Sequence, residues 1–300
     1  MTTTEIESCI ESAEENSLLY EEKSFDKRSE AIDFIEFQVL DPIEVLSQKS
    51  IQQDELVLLK DRAEKVIFEL YKIDIKLFQK LKKTIRTKGL NATAFKSMVS
   101  EYFDFDLTYK KKVKETGYDN LDIFINGLLP CETIPEQAKP LEPEMVYYQK
   151  TPARIIFEIV EQAHFIKEDV FIDIGSGLGQ VAILVNLLAG IKTKGIEFEP
   201  SFCSYATSCV MALKLPSVTF MNIDARKADY SEGTVFFMFT PFKGEMLQDV
   251  LEILRKESLL RKIRIITYGP CTAEVELQSW LRSAAPKNEN MYKAAFFTSC

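Results

Sequence analysis

The sequence predicts an α/β protein with a mostly parallel sheet, helices on both faces, and an all-helical region in front of it. Three observations carry that reading. From about Ser29 to Leu129 apolar residues recur at helical spacing, and the glycines there, Gly89, Gly117 and Gly127, suit helix ends. Between Leu129 and Met145 the stretch PCETIPEQAKPLEPE carries four prolines that deny regular structure. Beyond it, short β-rich runs alternate with helical ones, the order that builds a parallel sheet.

Taken in order, residues 1–28 read as a flexible acidic N-terminus, 29–129 as a helical domain, 130–144 as a proline-rich linker and 145–300 as the α/β domain. The longest helix, from Asp54 to about Lys88, places Leu56, Leu59, Ala63, Val66, Leu70, Ile73 and Leu77 at alternating steps of three and four. Ile67, Tyr71, Ile75 and Phe78 widen this stripe, which favours packing inside its own domain over a dimeric coiled coil; an oligomer through this helix stays open. GLNATAF then supplies a stop at Gly89 and a cap at Asn91, and YDNLDIFINGLL from Tyr118 reads as a packed helix. The strand candidates are VFIDI at Val170, TKGIEFE at Thr193, SVTFMNI at Ser217, TVFFMF at Thr234, IRIITY at Ile263 and AAFFT at Ala294.

Composition limits the function classes. A 300-residue chain with 46% hydrophobic residues can bury a large core, and no apolar run approaches the roughly 18 residues that cross a bilayer. The first residues, MTTTEIESCIESAEEN, are acidic where a secretory signal is basic and then apolar, so the cytoplasm is the expected location. A net charge of -9 disfavours bulk nucleic-acid binding, and KLKKTIRTK from Lys80 and YKKKVK from Tyr109 read as solvated helix faces. Six scattered cysteines without a C-x-x-C pair, beside the lone His164, disfavour disulfides and a zinc site. Cys203 and Cys209 read as small hydrophobes on a helix, and His164 as a structural residue at an apolar helix end.

The chemistry concentrates in FIDIGSGLGQVAILV. A strand ending in Asp173 and followed by Gly175, Gly177 and Gly179 lets backbone pass close to a ligand, and the helix after it offers free N–H groups. The G-x-G-x-G spacing is one residue tighter than the dinucleotide fingerprint. Glu197, about twenty residues on at the end of the second strand, is placed to take both hydroxyls of an adenosine ribose. Asp224, after the third strand, is placed to accept from an adenine amine. Together they describe an adenosine with a short charged tail, which S-adenosyl-L-methionine matches better than a nicotinamide dinucleotide.

DIGSGLGQ, GIEFEP and NIDA together resemble the class I S-adenosylmethionine-dependent methyltransferases. DIGSGLGQ in particular resembles the non-SET histone lysine methyltransferases of the disruptor-of-telomeric-silencing type. The resemblance covers Met145 onward and implies a Rossmann-like methyltransferase sheet. It implies that Asp173, Gly175 and Gly177 form the first cofactor loop, that Gln180 opens its helix, and that Glu197 and Asp224 hold ribose and adenine. Glu199 shares a strand face with Glu197, but the family pattern sets the acid three residues before the proline, here Pro200. MVYYQKTPARIIFEIVEQ resembles the pre-strand helix of bacterial members, which implies Tyr148, Gln149 and Thr151 at the methionine end.

After the fourth strand, FMFTPFKGE departs from the pattern, with Thr240, Pro241 and Phe242 where amine methylases of this class carry Asn-Pro-Pro-aromatic or Asn-Pro-Phe. If the acceptor is an amine, the Thr240 hydroxyl and Pro241 carbonyl are expected to accept its N–H bonds and the Phe242 ring to pack on its carbon frame. Histone specificity does not carry over, because this acidic chain lacks a strong basic region. The expected function is a methyltransferase acting on an amine of a protein or small molecule. The alternative is a cofactor-binding scaffold whose helical half mediates interactions; a nucleotide-dependent oxidoreductase is disfavoured by the glycine spacing.

Overall fold

The computed structural model describes residues 1–48, 53–88, 91–103, 117–129, 134–284 and 290–300. Gly89, Cys131 and the basic stretch from Tyr109 lie outside the described residues. The chain divides into two compact units: Met1–Thr84 with Ser97–Asp106 and Asp119–Leu128, and Ile85–Lys96 with Leu107–Tyr118 and Leu129–Cys300. No helix among the described residues is long and apolar enough to cross a membrane.

The helical elements are α1 (Thr3–Glu15), α2 (Phe25–Ile35), α3 (Asp41–Ser47), α4 (Gln53–Lys88), α5 (Ala92–Ser100) and α6 (Asn120–Leu128). The N-terminus is thus not the flexible tail expected from its charge. Thr2 and Glu5 form a reciprocal capping box that starts α1, satisfying two N–H groups that a frayed end would leave to water. One turn apart on α1, Ile6 and Ile10 are fully buried in a core with Ile32, Ile35, Leu56 and Leu59. The α4 seam is covered within its own unit, with Leu56, Ala63, Leu70 and Leu77 all buried. Ile67 joins the core, whereas Tyr71 and Ile75 face solvent, so the stripe is narrower than its sequence implies. Beyond it, Phe25, Phe78, Phe103 and Phe124 pack edge to face at 5.1–5.8 Å. Asn91 caps α5 as expected, its side-chain oxygen accepting the Ala94 N–H at 2.9 Å.

The second unit holds a seven-stranded sheet in the order β3-β2-β1-β4-β5-β7-β6. Its strands are β1 (Val170–Ile174), β2 (Lys192–Glu197), β3 (Val218–Asn222), β4 (Val235–Met238), β5 (Arg264–Thr267), β6 (Leu281–Ser283) and β7 (Ala295–Ser299). The first five are parallel, and β7 pairs antiparallel with both β5 and β6. Six fall on the expected runs; β6 has only three residues, two of them exposed, and carries no apolar signal. The other helices are α7 (Ala153–Gln162), α8 (Gln180–Ala189), α9 (Pro200–Leu213), α10 (Gly244–Leu260) and α11 (Cys271–Glu276). Because β1 lies between β2 and β4, the chain reverses direction across the sheet there, and a crevice opens at the carboxyl ends of these strands. On α9, Cys203 and Cys209 are buried as expected. His164 does not pack on an apolar helix end: it is an exposed turn residue after α7 with a φ of 47°.

Residues 134–144 are not a linker but a strap belonging to the second unit. Their prolines forbid a helix, yet carboxylates pin the extended backbone. Ala138 and Lys139 donate N–H bonds to Glu199 at 3.0 and 2.9 Å, and the Ser201 hydroxyl donates to the Glu136 carbonyl at 2.8 Å. Glu144 accepts from the Glu245 and Met246 N–H groups at 3.0 and 2.7 Å, capping the start of α10. The boundary expected at Met145 therefore falls too late.

Candidate functional site

The carboxyl end of β1 turns sharply at Gly175, where the N–H groups of Gly175 and Ser176 both donate to the Ile196 carbonyl at 2.9 Å. Gly175 and Gly177 have φ of 77° and 52°, a region costly for residues with a Cβ. A Cβ on Gly175 would overlap Pro241, and one on Gly177 would overlap the Tyr148 ring. The turn is therefore wedged between β4's exit and the segment before α7. Parallel register brings the ends of β1, β2 and β3 level, with Ile174 opposite Ile196 and Glu197 opposite Asn222.

One cavity results, and every candidate residue lines it: Tyr148, Gln149, Thr151, Asp173, Gly175, Gly177, Gln180, Glu197, Asp224, Thr240, Pro241 and Phe242. Glu197 accepts the Gly177 N–H through one oxygen at 2.6 Å and the Glu199 N–H through the other at 2.8 Å. Each oxygen keeps a lone pair for a further donor. Glu199 is the N-cap of α9 and the strap's anchor. Asp173 is fully buried; desolvation first, and the nearby Glu197 charge second, push its carboxyl up to about 8. Burial likewise raises Glu197, opposed by the N–H bonds it accepts. Asp224 caps a short 3₁₀ turn, and its carboxyl is held below the usual range by Arg226.

Three buried side-chain atoms of the lining residues have no protein partner: Asp173 Oδ2, Ser176 Oγ and Gln180 Oε1. Gln180 otherwise donates through Nε2 to the Thr151 carbonyl at 3.3 Å. Each orphan carries an unmet cost of about 1–3 kcal/mol, which a ligand offering ammonium and hydroxyl donors removes. This set of acceptor oxygens, with Glu197 and Asp224, fits the amino-acid tail, ribose and base of S-adenosylmethionine. Ser176 was missed in the sequence because a serine between two glycines reads as turn material.

The residues after β4 also make contacts within the protein. Thr240 has a φ of 40°, unusual for a β-branched residue, and its hydroxyl accepts the Cys271 N–H at 3.0 Å while lying 3.4 Å from the Tyr268 carbonyl. The Pro241 carbonyl accepts the Val146 N–H at 3.1 Å. Phe242 is 4% exposed and packs in the sheet's core with Met246 and Leu247. The Thr240 hydroxyl and the Pro241 carbonyl thus each already accept one bond from within the protein. Phe239, Pro270 and Tyr292 complete this wall of the cavity. Phe239 packs edge to face on Tyr268 at 4.7 Å. Sequence reasoning missed them, since Phe239 is one more aromatic in an apolar strand and Tyr292 belongs to no motif.

The strand order and the glycine turn give the second unit the Rossmann-like methyltransferase form that the sequence led us to expect. Residues 143–238, roughly a third of the chain, match the family described as "Histone methylation protein DOT1". No curated protein matches the chain. Among solved structures, it is similar to an RNA methyltransferase from Salinibacter ruber in complex with S-adenosyl-L-homocysteine, at 22% identity and a TM-score of 0.41, over 50% of this chain and 92% of that one. It is also similar to a SAM-dependent methyltransferase from Aquifex aeolicus, at 19% identity and 0.39, over 49% and 92%. A precorrin-6y C5,15-methyltransferase from Geobacter metallireducens matches at 15% identity and 0.39, over 52% and 92%.

Proposed function

We propose that the second unit binds S-adenosylmethionine and transfers its methyl group to an amine on a protein or small molecule. The observation that carries this reading is the convergence, in one cavity, of Glu197, Asp224 and three buried polar atoms without protein partners. Glu197 would receive the ribose hydroxyls and Asp224 the adenine amine. Asp173, Gln180, Thr151, Gln149 and Tyr148 would surround the amino-acid tail. When bound, the cofactor supplies a methyl group on a positively charged sulfur. The chain's own contribution is to hold, orient and exclude water. The ionisable acids of the lining sit with the β1–β3 ends, while Phe239, Pro270 and Tyr292 offer shape and aromatic faces beside β4 and β5. An amine acceptor would therefore arrive neutral, or lose its proton to water, before its lone pair meets the methyl.

The test has two stages. Calorimetric titration should give binding of S-adenosylmethionine and S-adenosylhomocysteine, with no comparable heat from NAD. Transfer of tritiated methyl into separated protein, nucleic-acid and small-molecule pools should then label an amine-bearing acceptor. Binding without labelling of any pool would favour the scaffold alternative, and heat only from NAD would overturn the reading.

A further inference from the structure

Arg226 lies two residues after Asp224 in the 3₁₀ turn Ala225–Lys227, and its side chain folds back on that acid. Nε lies 3.1 Å from both Asp224 oxygens, and Nη2 lies 2.6 Å from Oδ2. The same Nη2 reaches the strap, at 2.9 and 3.1 Å from the two oxygens of Glu142. One guanidinium thus joins a carboxylate at the end of β3 to a carboxylate on the strap. Glu142 lies between the strap's two backbone anchors, at Ala138–Lys139 and at Glu144. Around it, Gln137, Leu141, Met145 and Val146 line the cavity. Removing the cation would leave two carboxylates without the charge that joins them, so the strap would lose this tie while keeping its bonds to Glu199 and to the start of α10.

We propose that Arg226 is a positioning residue that latches the strap over the cavity by tying Glu142 to the acid that reads the base. This rests on the proposed cofactor reading for its consequence, though not for the latch itself. The latch ties cofactor exchange to the strap: with Glu142 held by Arg226, Leu141 stays against the cavity, while Met145 is held as well by its bridge to Phe242. Arg226 then governs mainly how fast the cofactor leaves, since a closed strap opposes exit and an encounter with the open cavity needs no contact with Arg226.

Two measurements test this. In the free protein, hydrogen exchange followed by mass spectrometry should show the amides of residues 138–146 exchanging about tenfold faster in Arg226→Ala, and less so in Arg226→Lys, which keeps the charge but not the fork. Glu142→Gln, a half-exposed position that tolerates change, should reproduce the faster exchange in a fully folded protein. Adding it to Arg226→Ala should give no further increase, because both break the same tie. In the bound protein, tritiated S-adenosylmethionine chased with S-adenosylhomocysteine should leave about tenfold faster from Arg226→Ala, with association changed by less than about threefold. Unchanged strap exchange in both single variants, or additive effects in the double variant, would overturn the latch. If the wild type binds no S-adenosylmethionine, the functional reading fails while the exchange experiment still decides the latch.

Discussion

The two sides of the cavity differ in how their polar atoms are served. Beside β1–β3, Asp173, Ser176 and Gln180 each keep a buried polar atom without a protein partner, and Asp173's carboxyl is pushed up to about 8. Beside β4 and β5, the Thr240 hydroxyl and Pro241 carbonyl already have backbone partners, and the remaining wall is aromatic. Unmet polar cost on one side marks a place built for one particular polar ligand. Satisfied atoms and aromatic faces on the other impose shape and leave the acceptor's identity to fit. The same difference separates a side whose ligand can be named by chemistry from one whose ligand cannot.

The largest effect that would sharpen this contrast is expected at the glycine turn. Gly177→Ala combines left-handed strain with displacement of the Tyr148 ring, together about 2–4 kcal/mol. Most of that cost falls on stability, but displacing Tyr148, which lines the cavity, should also weaken cofactor binding measured by calorimetry, and normal binding would mean that the turn does not face the ligand. Next in size is Glu197→Ala, which removes the proposed ribose acceptor and leaves the Gly177 N–H without its partner. Its expected cost is about 1.5–3 kcal/mol of binding, and an unchanged dissociation constant would break the assignment.

A smaller effect follows from pH. Asp173 titrates from 3.8 in the unfolded chain to about 8 in the folded one, so the folded state holds its proton more tightly. Its contribution to stability is fully present below 3.8 and is lost as pH rises through about 8. A cationic ligand favours the ionised acid, so affinity should rise with pH toward 8, by up to about tenfold per unit, with release of a proton. Calorimetry in buffers of different ionisation enthalpy reads that proton, and Asp173→Asn should abolish the dependence. Smallest is Thr240→Val, which leaves the Cys271 N–H unpaired and should lower stability by about 1 kcal/mol while cofactor affinity stays put. A selective loss of turnover with an unchanged melting temperature would restore the acceptor role expected from the sequence.

The legibility of the chain follows the same physics. Central parallel strands are buried on both faces, so VFIDI and TVFFMF stand out as continuous apolar runs, and β6, short and exposed, does not. Residues at three neighbouring strand ends share one crevice, so the glycine turn and the acids of β2 and β3 stood out by position, while the choice of Glu197 and the naming of Gln180, Tyr148, Gln149 and Thr151 came from the family resemblance. The N-terminal helix was hidden because its two buried isoleucines sit among acids, although Thr2-x-x-Glu5 carried the signal of a start. For the strap, the prolines were read rightly as a bar to helix and wrongly as a linker. What orders it is Glu199, some sixty residues away, and no local pattern reports such a bond. The bond from the Cys271 N–H to the Thr240 hydroxyl is equally invisible locally, since Cys271 opens α11 beyond β5.

The central claim is that the β1–β3 side of the cavity is an S-adenosylmethionine site. Calorimetric titration of the wild-type protein with S-adenosylhomocysteine at pH 8 tests it most directly, because it requires no knowledge of the acceptor. The account predicts one-to-one binding in the micromolar range, about -8 kcal/mol, weakened at least tenfold in Glu197→Ala. An absence of heat up to millimolar ligand, or equal binding by wild type and Glu197→Ala, would contradict it.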